Sequence, residues 1–281
     1  MRRRVTVWLP MVVLVIGSMI ALALWTRMSG TADPALGGVV VPSYPVSLVI
    51  DEQRQHAFVA SNLNGTGAVS ILHVGAEGRW HARTVLAGYA FGTLALDSQI
   101  GQAFVTRDKS IIVLDIRSGV ALRNIVLKGG PSALTVAARG SRLLAAIDDG
   151  QVIDLNARTG QVLRSVTIRP SSTKVGGHMA MAVDEYSGHC FVVDSNYNRV
   201  YMLDMLSGRL LRSVSVGKAP WALAVDEHSH RVFVVNQGSN SVSALDTRTG
   251  SVLSTIAVSK NPTAVAVDWH SARFRHEFES W

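Results

Sequence analysis

Short apolar runs separated by polar turns recur along most of the chain, and their order repeats. The pattern is fullest between Lys218 and Asp268. There Trp221–Val225, Arg231–Asn236, Ser241–Asp246 and Val252–Val258 read as four strands rich in valine, isoleucine and threonine. Such side chains suit a pleated, half-buried surface. The gaps at 226–230, 236–240 and 246–250 carry turn chemistry, and Gly250 can take the positive φ of a tight hairpin. The pattern predicts an antiparallel meander of four strands. One such sheet cannot bury both its faces, so copies must stack.

The copies are found by three markers in one register. The first is a proline six residues ahead of an acidic residue: Pro45 before Asp51, Pro220 before Asp226 and Pro262 before Asp268. Pro131 holds the same place ahead of Ala137, while Phe91 and His178 stand where the proline would be before Asp97 and Asp184. The second marker is the second strand: HAFVAS from His56, QAFVT from Gln102, RLLAAI from Arg142, HCFVVD from His189 and RVFVVN from Arg231. The third is the last-turn glycine, at 78, 119, 160, 208 and 250. The acidic positions are spaced by 46, 40, 47, 42 and 42 residues. A repeat of about 40 residues built from four short strands predicts an all-β fold, a β-propeller of four-stranded blades. Five units are complete, and a sixth begins at Pro262. After Arg273 charged residues fall where an apolar strand belongs, which reads as a shifted frame or a cut chain. A ring stopped there stays open and leaves sheet faces and edges unpaired.

The N-terminus follows a different pattern. Val5 to Trp25 has no charged residue, and about 20 apolar residues cross a bilayer as a helix. Arg2, Arg3 and Arg4 precede the run and Arg27 alone follows it, so the positive-inside rule sends the rest of the chain outside. The expected organisation is a cytoplasmic tip at 1–4, a transmembrane signal anchor at 5–25, a tether at 26–44 and the propeller at 45–281. Within the tether, Val39–Pro42 could supply a closing strand. The rival reading is a signal peptide cut near Gly30-Thr31-Ala32, which makes the chain secreted or periplasmic.

The fifth unit reads VFVVN at 232–236, SNSVSALD at 239–246 and Thr249-Gly250. In these residues it resembles the YVTN-repeat β-propeller family. The fourth unit (CFVVDSNYNRVYMLDMLSG) and the second (AFVTRDKSIIVLDIRSG) are similar, and the likeness extends loosely over 45–273. The resemblance implies an exported or surface-associated binding platform, usually of seven blades. It carries over no catalytic residue.

Composition changes this picture little. The formal charge is +7, but setting aside Arg2, Arg3, Arg4 and Arg27 leaves 23 basic against 20 acidic residues, or +3. That is too mild to indicate nucleic acid. Cys190, the single cysteine, falls in a second strand as a small buried residue. His228 and His230 beside Asp226 and Glu227 could suggest a metal, but a polar turn explains them, so neither metal nor cofactor is expected. Asn64-Gly65-Thr66 matches a glycosylation acceptor. Binding is expected where loops lead into the inner strands at the mouth of the central channel. Those loops carry Tyr44, Lys128, His178, Lys218, Trp221, Lys260 and Asn261. Lysines with an aromatic could hold an anionic or aromatic ligand, or a protein. The simpler reading packs Trp221 between blades and leaves the lysines solvated.

These observations point to a membrane-tethered, extracytoplasmic binding or scaffold module. A propeller enzyme of lactonase or dehydrogenase type is one alternative, and a truncated remnant of a longer propeller is the other.

Overall fold

A computed structural model describes residues 44–267, apart from 52–53, 55, 64–65, 75–79, 90–91 and 170–176. The 5–25 run, the 39–42 segment, Asn64, Gly78 and the tail from Asp268 lie outside the described residues. Within them no helix is long and apolar enough to cross a membrane.

Twenty strands form five antiparallel meanders. Sheet 1 holds β1 (Pro45–Asp51), β2 (His56–Leu63), β3 (Thr66–Val74) and β4 (Trp80–Tyr89). Sheet 2 holds β5 (Leu94–Asp97), β6 (Gln102–Arg107), β7 (Ser110–Asp115) and β8 (Ala121–Val126). Sheet 3 holds β9 (Pro131–Ala137), β10 (Arg142–Ile147), β11 (Gln151–Asn156) and β12 (Val162–Thr167). Sheet 4 holds β13 (Met179–Asp184), β14 (His189–Asp194), β15 (Arg199–Asp204) and β16 (Leu210–Ser215). Sheet 5 holds β17 (Pro220–Asp226), β18 (Arg231–Asn236), β19 (Ser241–Asp246) and β20 (Val252–Ala257). The first strands pack in chain order, β1 on β5, β5 on β9, β9 on β13 and β13 on β17. This is the stacking of propeller blades about an axis. The five complete units read from the sequence are five sheets. Residues 262–267, where a sixth first strand was expected, join no strand ladder.

The repeat markers turn out to be turn chemistry. Asp97 Oδ1 accepts from the amides of Gln99 (3.0 Å) and Ile100 (3.1 Å), and Asp184 and Asp226 do the same in their own hairpins. Sheet 3 has Ala137 at this position. Its turn amides at Ala138 and Arg139 are met instead by Glu185 of sheet 4. The hairpins from third to fourth strand repeat the device with Asp115, Asn156, Asp204 and Asp246. Each ends on a glycine with φ near +70°, from Gly119 (+69°) to Gly160 (+78°), where a side chain would be strained.

Second strands are largely apolar, and those of sheets 2, 3 and 4 lie between two neighbouring sheets. Phe58 and Ala60 pack on Ala103, Val105 and Leu114. Phe104 and Val113 pack on Leu143 and Ala145, and Phe191 and Val193 pack on Val232 and Val234. Fourth strands β8 and β12 alternate exposed with partly buried residues over most of their length, β20 is exposed throughout, and β8, β12, β16 and β20 each carry a bulge. The bulged residues Leu122, Leu163, Leu211 and Leu253 are about half exposed, at 47–53 %. Bulges bend an edge strand away from pairing with another chain.

An arginine two or three residues beyond the start of the fourth strand clamps each of the first three sheets to the next. Arg83 donates to Ser118 O (2.9 Å), Arg123 to Ala157 O (2.6 Å) and Arg164 to Leu206 O (2.5 Å). Arg142 and Arg164 also close on the buried Asp154. In sheet 5 the equivalent position is Ser254. The face of sheet 5 beyond the fourth interface is correspondingly less covered: Phe233 and Val242 are half-buried and Ile256 is 46 % exposed. Cys190 is buried, and burial pushes its thiol up to about 12, so it packs as a small apolar residue.

Candidate functional site

Three of the five first strands begin with a shared irregularity. Proline occupies the first position of β1, β9 and β17, where its missing N–H breaks no ladder bond. The next residue is bulged in each case: Val46, Ser132 and Trp221 have no cross-strand partner, and pairing resumes one residue later. A bulge re-aims the side chain that it frees. Val46 is 52 % exposed and Trp221 is 36 % exposed.

A left-handed residue stands immediately before Pro45, Pro220 and Pro262. Tyr44, Ala219 and Asn261 have φ of 56°, 46° and 61°. Ala219 N–H donates to Asn198 Oδ1 and Asn261 N–H to Asn240 Oδ1, both at 2.8 Å. The amide side chain of a second-to-third-strand turn thus fixes the linker into the following blade. Asn261 and Pro262 repeat the geometry of Ala219 and Pro220.

Of the predicted residues, His178 and Trp221 are brought together. Their rings stack at 3.9 Å between centroids with 9° between planes. His178 Nε2 lies 2.7 Å from the Trp221 carbonyl. A carbonyl only accepts, so Nε2 carries the hydrogen. Burial lowers the pKa of His178, partly offset by that hydrogen bond, and the ring is held neutral at pH 7. Trp221 of sheet 5 therefore stacks on His178, which leads into sheet 4, and keeps 36 % of its surface exposed. Tyr44 is 68 % exposed. Lys128, Lys218, Lys260 and Asn261 are exposed on segments that follow the fourth strands of sheets 2, 4 and 5.

Some mouth residues were not singled out by sequence reasoning. Thr93 donates to Ser132 O (3.2 Å), in the place where His178 meets Trp221. The Ser132 hydroxyl donates to Asp148. Arg169, buried, pairs with the buried Asp194 at 2.8 Å, donates to Asp148 O at 2.6 Å and lies over Tyr197 at 5.3 Å. The available signal was Asp194 itself, a carboxylate closing an apolar second strand, which calls for a buried partner. Asp226, offered with His228 and His230 as a possible metal set, accepts from Ser229 and from its own turn. No group of three or more His, Cys, Asp or Glu among the described residues is ready to hold a metal.

Comparison with known proteins agrees with this architecture. Among solved structures, a Lactobacillus plantarum protein from a structural genomics programme aligns with TM-score 0.64 and 18 % identity, covering 80 % of this chain and 75 % of its own. A chain of the nidogen/laminin complex aligns with TM-score 0.61 and 14 % identity, over 78 % and 82 %. The computationally designed Ika8 protein aligns with TM-score 0.59 and 15 % identity, over 80 % and 65 %. At these identities the likeness is one of fold. No curated protein sequence matches. Residues 92–276 match the family described as outer membrane protein assembly factor BamB. That span is more than half of the chain, and the protein belongs to this family of repeat propellers.

Proposed function

We propose that the chain is an extracytoplasmic binding or scaffold module, tethered to the membrane by its apolar 5–25 segment, that receives a partner at the channel mouth. The observation that carries this reading is Trp221. A bulge turns the indole outward, and His178 backs one of its faces. Holding a large aromatic half-exposed and fixed costs apolar hydration, which a partner surface recovers on docking. Lys218 and Lys260 on the flanking linkers favour a partner that presents an anionic or aromatic group. The family description names an assembly factor of the outer membrane, which favours a protein partner over a small anionic ligand. The YVTN-repeat likeness of the fifth unit supports the same surface-exposed binding role. An enzyme at this mouth would need converging acids and bases, whereas His178 is committed to the Trp221 carbonyl.

Site-specific photocrosslinking in the native membrane tests the proposal. A benzophenone residue replacing Trp221 should give a discrete protein adduct. One replacing Thr249, in a turn at the opposite end of sheet 5, should give none. Adducts from position 249 without any from 221 would overturn it.

A further inference from the structure

Sheet 1 departs from the repeat in one row. Across the other sheets the last residue of the first strand faces the first residue of the second, which faces the last of the third. The row reads Asp97, Gln102, Asp115 in sheet 2 and Ala137, Arg142, Asn156 in sheet 3. It reads Asp184, His189, Asp204 in sheet 4 and Asp226, Arg231, Asp246 in sheet 5. In all four the third-strand position is the carboxylate or amide that closes a turn. In sheet 1 the row is Asp51, His56, His73, and it continues to His81 on the fourth strand. Three of the nine histidines of the chain stand side by side in it.

Directly opposed residues of an antiparallel sheet share one face, with Cβ atoms about 5 Å apart. The row lies on the face turned to sheet 2, in line with Val49, Phe58 and Ile71. The His56 and His73 rings are 6.1 Å apart and the His73 and His81 rings 5.4 Å. A metal sits about 3.2 Å from the centroid of each ligating imidazole, so two rings sharing one stand about 5–6 Å apart. His56 Nδ1 is buried without a hydrogen-bond partner. Asp51 is not available as a ligand, because its carboxylate is held by Arg54 at 2.9 Å and Ser98 at 3.1 Å.

We infer that His56, His73 and His81 form a three-imidazole site for a divalent transition-metal ion of the zinc class, with water completing the coordination. Imidazole nitrogen suits zinc, nickel and copper. The rings do not yet converge on one point, since His73 and His81 stack at 25°. His81 is exposed on the edge strand and can rotate to meet the ion without disturbing the core. This reverses the expectation of a metal-free chain, and it is independent of the mouth described above.

The test uses the full chain without an affinity tag. Titration with Zn²⁺ should show one saturable site per chain, and Co²⁺ should give the intense visible absorption of four-coordinate cobalt. His81→Ala should weaken Zn²⁺ binding about a hundredfold, counting the loss of a direct ligand at the upper end of what outer-shell changes cost, while leaving the melting temperature of the metal-free protein unchanged. The double change His228→Ala and His230→Ala should leave binding intact. Absence of a saturable site, equal binding by His81→Ala, or loss of binding only in the double variant would each overturn the inference.

Discussion

Asp115, Asp204, Asp226 and Asp246 each tie a hairpin by accepting from the turn that follows. Hydrogen bonds from Ser118 hold Asp115 below the ordinary carboxylate range, and those from Ser207 do so for Asp204. At Asp226 and Asp246 burial pushes upward, but bonds from Ser229 and Thr249 prevail and the net direction is down. A carboxyl whose folded pKa lies below its unfolded value of about 3.9 stabilises the fold in full above that value. The contribution is lost as pH falls through the depressed folded values. Urea midpoints should therefore be flat above about pH 5 and fall below about pH 4. Changing the four residues to asparagine, which still accepts from the turn, should shallow the acid fall; an unchanged fall would place acid sensitivity elsewhere. Of these, only Asp226 stood out in the sequence as a periodic acid, and its purpose did not. Spacing reveals that a residue recurs, whereas its hydrogen bonds show that it recurs to close a turn.

At the scale of the element, the glycines that end these turns act in two ways that can be separated. Gly119 has φ +69°, and a Cβ there would lie 2.4 Å from Val85 Cγ1 across the blade interface. Gly188 has φ +73°, and a Cβ there would meet nothing within 4 Å. Gly188→Ala should cost about 1 kcal/mol, from backbone strain alone. Gly119→Ala should cost about 2–4 kcal/mol, because it adds a clash in packed surroundings. Equal costs by urea unfolding would show that the interface yields freely at Val85. Strand boundaries in the fifth unit were legible almost to the residue, since β18 and β19 are the runs Arg231–Asn236 and Ser241–Asp246. The bulges after Pro45, Pro131 and Pro220 were not legible. A bulge leaves no composition signal, and it leaves Trp221 without a cross-strand partner. The arginine clamps were not legible although Arg123 and Arg164 follow the turn glycines at the same interval, because a solvated strand face carries arginine for many reasons.

The whole molecule is an array in which every complete interface joins the back of one sheet to the front of the next. The back of sheet 5 carries the same kind of surface as those before it, with Phe233 in the place of Phe104 and Phe191. The second strands lying between two sheets are shielded on both faces, while β18 is shielded fully on one. Amide hydrogen exchange of the full chain, resolved strand by strand, tests this arrangement most directly. Amides of β6, β10 and β14 should exchange slowest and at similar rates. Those of β18 should exchange measurably faster, with the fourth strands β8, β12, β16 and β20 faster still. Slow exchange confined to one sheet, or fourth strands protected as well as second strands, would contradict this arrangement.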